Sequence, residues 1–347
     1  MKILQVITKS ELGGAQTVVA QLVNKLSENH EVILVAGEGD GKMWDMVSDA
    51  VKKEHCPNLQ RAISPKKDLL AAIELRKIYN KYKPDVVHLH SSKAGILGRL
   101  IFPTQKTVYT VHGFDSIRVA FRKFLPIERF MQHLCRAVVG VSEYDRKNLL
   151  DERITKNVSV IYNGISAPNT SSTKELVVMG KYKKVVLAIA RVAAPKRADI
   201  FVEVARLLPE YGFVWIGNQT EITEFGILPE NCHFAGNISN AGAYCEKADL
   251  FMLPSNYEGL PMVILEAMCF GKPVVASNVG GISEIVQNGV NGYTVENDAK
   301  LFAEKIKCIL EDDNLSTVLG NNSKDIFNKK LTVEKMVDGY MNIYKRL

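Results

Sequence analysis

Glu258-Gly259-Leu260-Pro261-Met262-Val263-Ile264-Leu265-Glu266-Ala267-Met268-Cys269-Phe270-Gly271-Lys272-Pro273 parses into a loop, a helix and the start of a strand. Pro261 suits the first helical turn, where its missing N–H costs nothing. Gly271 suits the position just past the helix end, and Pro273 forbids continuation. The apolar run Leu250–Leu253 precedes this stretch and Pro273–Ala276 follows the helix. Strand, helix and strand in that order make a βαβ unit with parallel strands. The alternation extends outward in both directions. In the second half Lys184–Ala190, Phe213–Ile216, His233–Phe234 and Gly292–Val295 read as further strands. Helices are read there at Arg197–Leu208, Ala241–Lys247, Met262–Phe270 and Ala299–Glu311. In the first half six strands are read, at Lys2–Thr8, Glu31–Ala36, Val86–His90, Thr107–Val111, Ala137–Val141 and Val158–Tyr162, with helices at Gln16–Ser27, Lys67–Tyr82 and Phe124–Leu134. The polar, aperiodic stretch 166–173 between the halves reads as a linker. The expected fold is α/β, with two Rossmann-like doubly wound domains over 1–167 and 168–331. A terminal helix over 332–347, with Met336, Tyr340, Ile343 and Tyr344 on one stripe, is expected to pack back towards the first domain.

The chain has 347 residues, which at about 150 per domain also suggests two domains. Its 46% hydrophobic and 24% charged residues exclude disordered, collagenous and membrane-embedded classes. Six cysteines, at 56, 135, 232, 245, 269 and 308, form no C-x-x-C pair, so neither a disulfide framework nor a zinc ribbon is indicated. With no apolar run near the roughly 18 residues of a membrane span and no signal-peptide pattern at the start, a cytoplasmic location is expected. Charge is uneven. Residues 1–165 carry 25 Lys and Arg against 17 Asp and Glu, leaving 19 against 21 for the rest. A basic first half suits an anionic membrane surface or a phosphorylated substrate, the plain alternative being solubility charge. Nucleic acid is not expected, since no basic stripe with interleaved aromatics occurs.

In open α/β sheets ligands bind beyond the C-terminal strand ends, and two such halves leave a cleft between them. Gly13-Gly14-Ala15-Gln16 follows the first strand and opens a helix, so backbone N–H groups there can approach an anion, or simply make a tight turn. In the 258–273 stretch, the N–H groups of Gly259, Leu260 and Met262 can receive an anion or hydroxyls. Glu258 in the loop and Glu266 on the helix can each accept hydrogen bonds from vicinal hydroxyls, or act as general acid and base. Arg191 and Lys196 follow a strand, where two cations suit a diphosphate, Arg as a fork and Lys as a point charge. No D-x-D triplet that could hold a divalent ion occurs, so these cations would neutralise a leaving phosphate themselves. On the acceptor side, Ser91, Ser92 and Lys93 follow a strand and open a helix, which turns them toward the cleft. The stretch 118–125 mixes Arg118, Arg122 and Lys123 with Phe and Leu, which fits a peripheral membrane contact or a loop packed on its own domain.

Together, the E-x7-E stretch from Glu258 to Glu266, Arg191 with Lys196, the Gly13-Gly14 loop and Tyr109-Thr110-Val111-His112-Gly113 resemble the retaining GT-B nucleotide-sugar glycosyltransferases of family 4 (glycosyl transferases group 1). Asn163-Gly164-Ile165, Leu253-Pro254-Ser255 and the 277–285 stretch are similar too. The resemblance implies that Glu266 binds the nucleotide ribose, Glu258 the donor sugar hydroxyls, and Arg191 and Lys196 the diphosphate. It places Gly13, Gly14, Gly259, Leu260, Pro261 and Met262 around phosphate and sugar, and Gly236, Asn237 and Ile238 at the nucleobase. His112, otherwise readable as a core histidine, would contact the donor sugar near the reacting centre. Transfer would proceed by front-face attack, with Glu258 a positioner, no metal and no cofactor, and a UDP- or dTDP-sugar as co-substrate. Gln16 and Arg197 depart from the family pattern.

The segment from His90 to Arg99 with the following Thr-Val-His-Gly-Phe looks like transferases of bacterial capsule and exopolysaccharide assembly. That likeness implies a lipid-linked (polyprenyl-diphosphate) or oligosaccharide acceptor, met by Ser91, Ser92, Lys93 and Arg118 at the inner face of the membrane. A GT-B nucleotide-sugar 2-epimerase and a non-catalytic nucleotide-sugar-binding module are the alternatives.

Overall fold

A computed structural model describes residues 1–119, 121–171, 173, 176–218 and 225–347. Ala120 of the 118–125 stretch and Ser172 of the linker lie outside the described residues. The chain divides into two compact units, Met1–Ile165 with Thr332–Leu347, and Ser166–Leu331.

The first unit holds seven strands: β1 Lys2–Ile7, β2 Glu31–Ala36, β3 Lys52–His55, β4 Val86–His90, β5 Thr107–Val111, β6 Ala137–Gly140 and β7 Val158–Val160. All pair in parallel in the order β3-β2-β1-β4-β5-β6-β7. The second holds β8 Val185–Ile189, β9 Gly212–Ile216, β10 Cys232–Phe234, β11 Leu250–Leu253, β12 Val274–Ser277 and β13 Gly292–Val295. These are parallel in the order β10-β9-β8-β11-β12-β13. In each sheet the order reverses once, between β1 and β4 and between β8 and β11. At such a reversal the connections leave to opposite sides and open a crevice beyond the strand ends. β2, β8 and β9 are apolar on both faces, as a sheet covered by helices requires, whereas β1, β4 and β5 at the centre of the first sheet also bury Gln5, His88, His90 and Thr110.

The first sheet has seven strands where six were expected. The additional strand, Lys52-Lys53-Glu54-His55, has no apolar residue because it lies at the sheet edge, largely in solvent, where charge also discourages pairing with other chains. Two helices carry too little apolar periodicity to be read from sequence, Glu143–Asp151 and Asp313–Lys330. The first of these buries Asp145 and Asn148 beside Leu149. The expected helix Phe124–Leu134 contracts to Leu125–Met131 with a 3₁₀ turn at each end.

The chain returns to the first unit at Thr332. Ile165 bridges Thr332, and Val333 donates its N–H to the Ile165 carbonyl at 3.1 Å. Hence the first unit closes at Ile165 rather than at 167. Gly164 is required there, since a Cβ would stand 2.1 Å from the Thr332 carbonyl oxygen. Helix Val333–Tyr344 buries Met336, Tyr340 and Tyr344 against this unit. Burial of each such side chain stabilises by about 2 kcal/mol.

Candidate active site

In the second unit the structure brings together residues that lie far apart in sequence. Arg191 follows β8 and is exposed, and its guanidinium has no ion pair among the described residues. Lys196 closes the same loop and forms an antiparallel bridge with Ser255, just past β11. Its ammonium is ion-paired with Glu258, both side chains being mostly buried. The C-terminal ends of β8 and β11, adjacent at the sheet reversal, thus present two cations and a carboxylate. Arg197 takes no part, since it holds Asp199 at 2.6 Å.

The loop bearing Glu258 is braced by residues whose role sequence reasoning missed. Gly280, at φ +58, lies so close that a Cβ would fall 1.8 Å from the Glu258 carbonyl oxygen. The Gly281 N–H donates to the Gly259 carbonyl at 2.9 Å. Ser255 is held through Ser277 and Asn297: its N–H donates to Ser277 Oγ at 2.8 Å, and Asn297 Nδ2 donates to its carbonyl at 2.9 Å. Leu260, Pro261 and Met262 are buried at the helix start. Pro261 caps helix Met262–Cys269, which starts at Met262 as expected and ends one residue before the expected Phe270. Gly271 follows its end at φ +65.

Glu266 lies on that helix, and burial pushes its carboxyl up to about 7. It has no hydrogen bond or ion pair among the described residues. Gly242 makes room for it, since a Cβ at 242 would stand 2.5 Å from the Glu266 carboxyl carbon. Beyond β10, Gly236 turns at φ +81 with open space where a side chain would be. Its N–H donates to Asn218 Oδ1 at 2.8 Å. Asn237 is exposed and Ile238 half-buried beside it.

In the first unit, Gly13 precedes helix Gly14–Ser27, and a Cβ on Gly13 would meet Gln16 Oε1 at 2.7 Å, whereas one on Gly14 would meet nothing. Gln16, at a position that departs from the family pattern, therefore lies over the glycine loop. His112 follows β5. Its Nε2 and His90 Nδ1 share a hydrogen bond at 2.9 Å, and its Nδ1 is buried without a partner among the described residues. The loop after His112 is tied down by Asp145, whose carboxylate accepts from Phe114 N–H at 2.7 Å.

The expected acceptor-side cations are both engaged. Lys93 holds both oxygens of Asp68, at 2.7 and 2.8 Å. Arg118 pairs with Asp115 at 2.8 Å and donates to Tyr144 Oη. Ser91 Oγ shares a hydrogen bond with Thr8 Oγ1 at 2.7 Å and accepts from the Thr8 N–H, joining β1 to β4, while Ser92 is exposed.

Residues 12–167 match the family described as Glycosyltransferase Family 4, and residues 174–326 match Glycosyl transferases group 1. The O-antigen biosynthesis glycosyltransferase WbnH of Escherichia coli is 30% identical over 319 residues, 88% of this chain and 89% of that protein. The UDP-Gal:alpha-D-GlcNAc-diphosphoundecaprenol alpha-1,3-galactosyltransferase of Escherichia coli is 28% identical, covering 99% of this chain and 96% of that one. Among solved structures, Anabaena Alr3699/HepE in complex with UDP and glucose superposes with a TM-score of 0.85 at 20% identity, covering all of both chains. The architecture is GT-B, and the chain belongs to the family 4, group 1 glycosyltransferases.

Proposed function

We propose that this glycosyltransferase moves a hexosyl group from a nucleotide-diphosphate sugar to a sugar hydroxyl, with retention at the anomeric carbon and without a metal. The reading rests above all on Arg191, Lys196 and Glu258 gathered at the reversal of the second sheet. The cations hold the diphosphate and stabilise the charge that grows as the bond from the anomeric carbon to the phosphate oxygen breaks. The acceptor hydroxyl attacks the same face, and its proton passes to the departing phosphate. Glu258, paired with Lys196 in the free protein, accepts from donor sugar hydroxyls. Glu266 accepts from the ribose, and the loop Gly236-Asn237-Ile238 meets the base. Gly13 and Gly14 offer N–H groups to phosphate, and His112 contacts the sugar.

UDP is the favoured nucleotide, because one E. coli relative is named for UDP-Gal and Alr3699/HepE was solved with UDP. The acceptor is a sugar on a polyprenyl diphosphate, by analogy with that same relative, in the assembly of a capsule, O-antigen or other surface polysaccharide. No helix among the described residues is long and apolar enough to cross a membrane. Contact with an anionic membrane falls to the basic first unit, where exposed Val119, Phe121 and Phe130 accompany Arg122 and Lys123. The test is release of UDP from a panel of UDP-sugars in EDTA, with and without a lipid-diphosphate acceptor. Acceptor-dependent release with a new glycoside supports the proposal. Binding without release in any mixture contradicts it and favours the binding-module reading.

A further inference from the structure

A chain of side-chain hydrogen bonds runs through the interior of the first unit from its terminal helix to His112. Tyr340 Oη and Thr110 Oγ1 share one at 3.1 Å, and Thr110 Oγ1 and His88 Nε2 share the next at 2.7 Å. His88 Nδ1 and Tyr344 Oη are 2.6 Å apart, and Gln5 Nε2 donates to Tyr344 Oη at 3.1 Å. Gln5 Oε1 lies 2.7 Å from His90 Nε2, and His90 Nδ1 lies 2.9 Å from His112 Nε2. Gln5, His88, His90 and Thr110 are wholly buried. The chain ends on His112 Nδ1, buried and unpartnered among the described residues.

With the Gln5 amide placed as it is, its oxygen on His90 and its nitrogen on Tyr344, the direction of each proton follows from valence. Burial pushes His112 down to about 4 and holds His88 and His90 well below the usual histidine range, so all three rings are neutral at pH 7. A neutral imidazole has one donor and one acceptor nitrogen, and an amide oxygen only accepts. His90 Nε2 therefore carries the proton given to Gln5 Oε1. His90 Nδ1 is then an acceptor, so His112 Nε2 supplies the proton between the two rings. What remains on His112 is a bare Nδ1. In the other direction the Gln5 amide N–H occupies Tyr344 Oη as acceptor, which turns the Tyr344 proton to His88 Nδ1 and leaves His88 Nε2–H for Thr110. Every link is satisfied in this sense; turning the Gln5 amide over would reverse each proton from Tyr344 to His112 and put one on His112 Nδ1, so the amide orientation is what sets the tautomer.

We infer that Gln5, His90 and Tyr344 are positioning residues that fix His112 as the Nε2–H tautomer and reserve its Nδ1 to accept a hydrogen bond from a hydroxyl of the bound sugar. The inference deepens the role proposed for His112 and rests on it. A buried acceptor without a partner is unfavourable in the free protein, so a substrate hydroxyl placed there supplies what the fold leaves open. Tyr344 also gives the returning terminal helix a function, since the helix closes the chain that sets the tautomer.

Long-range ¹H–¹⁵N ring spectra of the full chain labelled in histidine, with the His112 signals assigned through His112→Asn, read the tautomer without substrate. The expected result is a protonated Nε2 and a bare Nδ1 on His112. Gln5→Leu should mix the two tautomers and lower kcat about tenfold with UDP affinity unchanged, as for loss of one productive hydrogen bond. Gln5→Glu, which keeps an oxygen facing His90, should restore the tautomer and most of kcat. A proton on His112 Nδ1 in the wild type, or an unchanged tautomer and turnover in Gln5→Leu, overturns the inference. Tyr344→Phe keeps the ring packed and frees the Gln5 amide to turn, so it gives the same readout if Gln5→Leu does not fold. An unchanged His112 pattern in that variant also overturns the inference. The correct tautomer together with normal turnover of His112→Asn overturns only the sugar contact. The wrong tautomer with an inactive His112→Asn overturns only the relay.

Discussion

At the reversal of the first sheet, polar side chains end on one another, Gln5 on His90 and Tyr344 and Lys93 on Asp68, and beyond the neighbouring β5 Arg118 ends on Asp115. At the same place in the second sheet, Arg191 has no ion pair and the Glu266 carboxyl no partner among the described residues, and Lys196 meets Glu258. The two sheets share the order of their first six strands, the first sheet adding β7 at its edge, so topology at the reversal does not set this difference; the side chains beyond the strands do. The first network ties its side chains to one another up to the bare Nδ1 of His112, whereas the buried, unpaired Glu266 carboxyl is unfavourable in the free protein and the Arg191 guanidinium is left open to solvent. On the proposed reading the second unit takes the charge of the nucleotide and the first sets position.

The largest effect that could break this contrast is on turnover. Arg191→Ala and Lys196→Ala should each lower kcat/KM by about 10²- to 10³-fold, the usual loss when a charge partner of the transition state is removed. Near-normal steady-state kinetics would remove both from the mechanism. Next comes Glu266. On the proposed ribose role, hydroxyls donate to its ionised form, so with the carboxyl near 7 UDP affinity should fall about tenfold from pH 8 to pH 6, and Glu266→Gln should flatten the profile. In the free protein the sign is opposite. The raised folded-state value penalises the ionised carboxyl, a penalty absent below the ordinary glutamate range and complete above about 7. Glu266→Gln should therefore raise Tm more at pH 8 than at pH 5, and calorimetry showing the reverse would contradict the burial. A smaller effect concerns the basic first unit. Its binding to phosphatidylserine vesicles should weaken with salt, and by about fivefold on Lys123→Gln. Salt-independent binding would exclude an electrostatic membrane contact. Last, EDTA should leave the initial rate unchanged, and a loss restored by Mn²⁺ would refute metal-free transfer.

The stretch 258–273 was legible because capping chemistry is local: Pro261, Gly271 and Pro273 announce the helix within one residue of its observed limits. β3 was not, because an edge strand needs no apolar face and Lys-Lys-Glu-His has none. The relay through His88 and His90 was hidden for another reason. Their strand is legible from Val86, Val87 and Leu89 alone, and their partners Gln5 and Tyr344 lie at opposite ends of the chain. Gly242 and Gly280 are needed only because Glu266 and Glu258 approach them in space. Lys196 and Glu258 could be read as two ligand groups, but nothing in their 62-residue separation showed that they pair. Arg118 could have been matched with Asp115 three residues earlier, whereas the Asp68 partner of Lys93 is visible only in the fold.

The most direct test of the division between the units is calorimetric titration of UDP, in EDTA, into wild type, Arg191→Ala, Glu266→Gln and His112→Ala, with kcat measured on the same preparations. Weakened UDP binding is expected in the two second-unit variants, and unchanged affinity with a depressed kcat in His112→Ala. Normal affinity in both second-unit variants with lost affinity in His112→Ala would contradict the assignment of charge to one unit and position to the other.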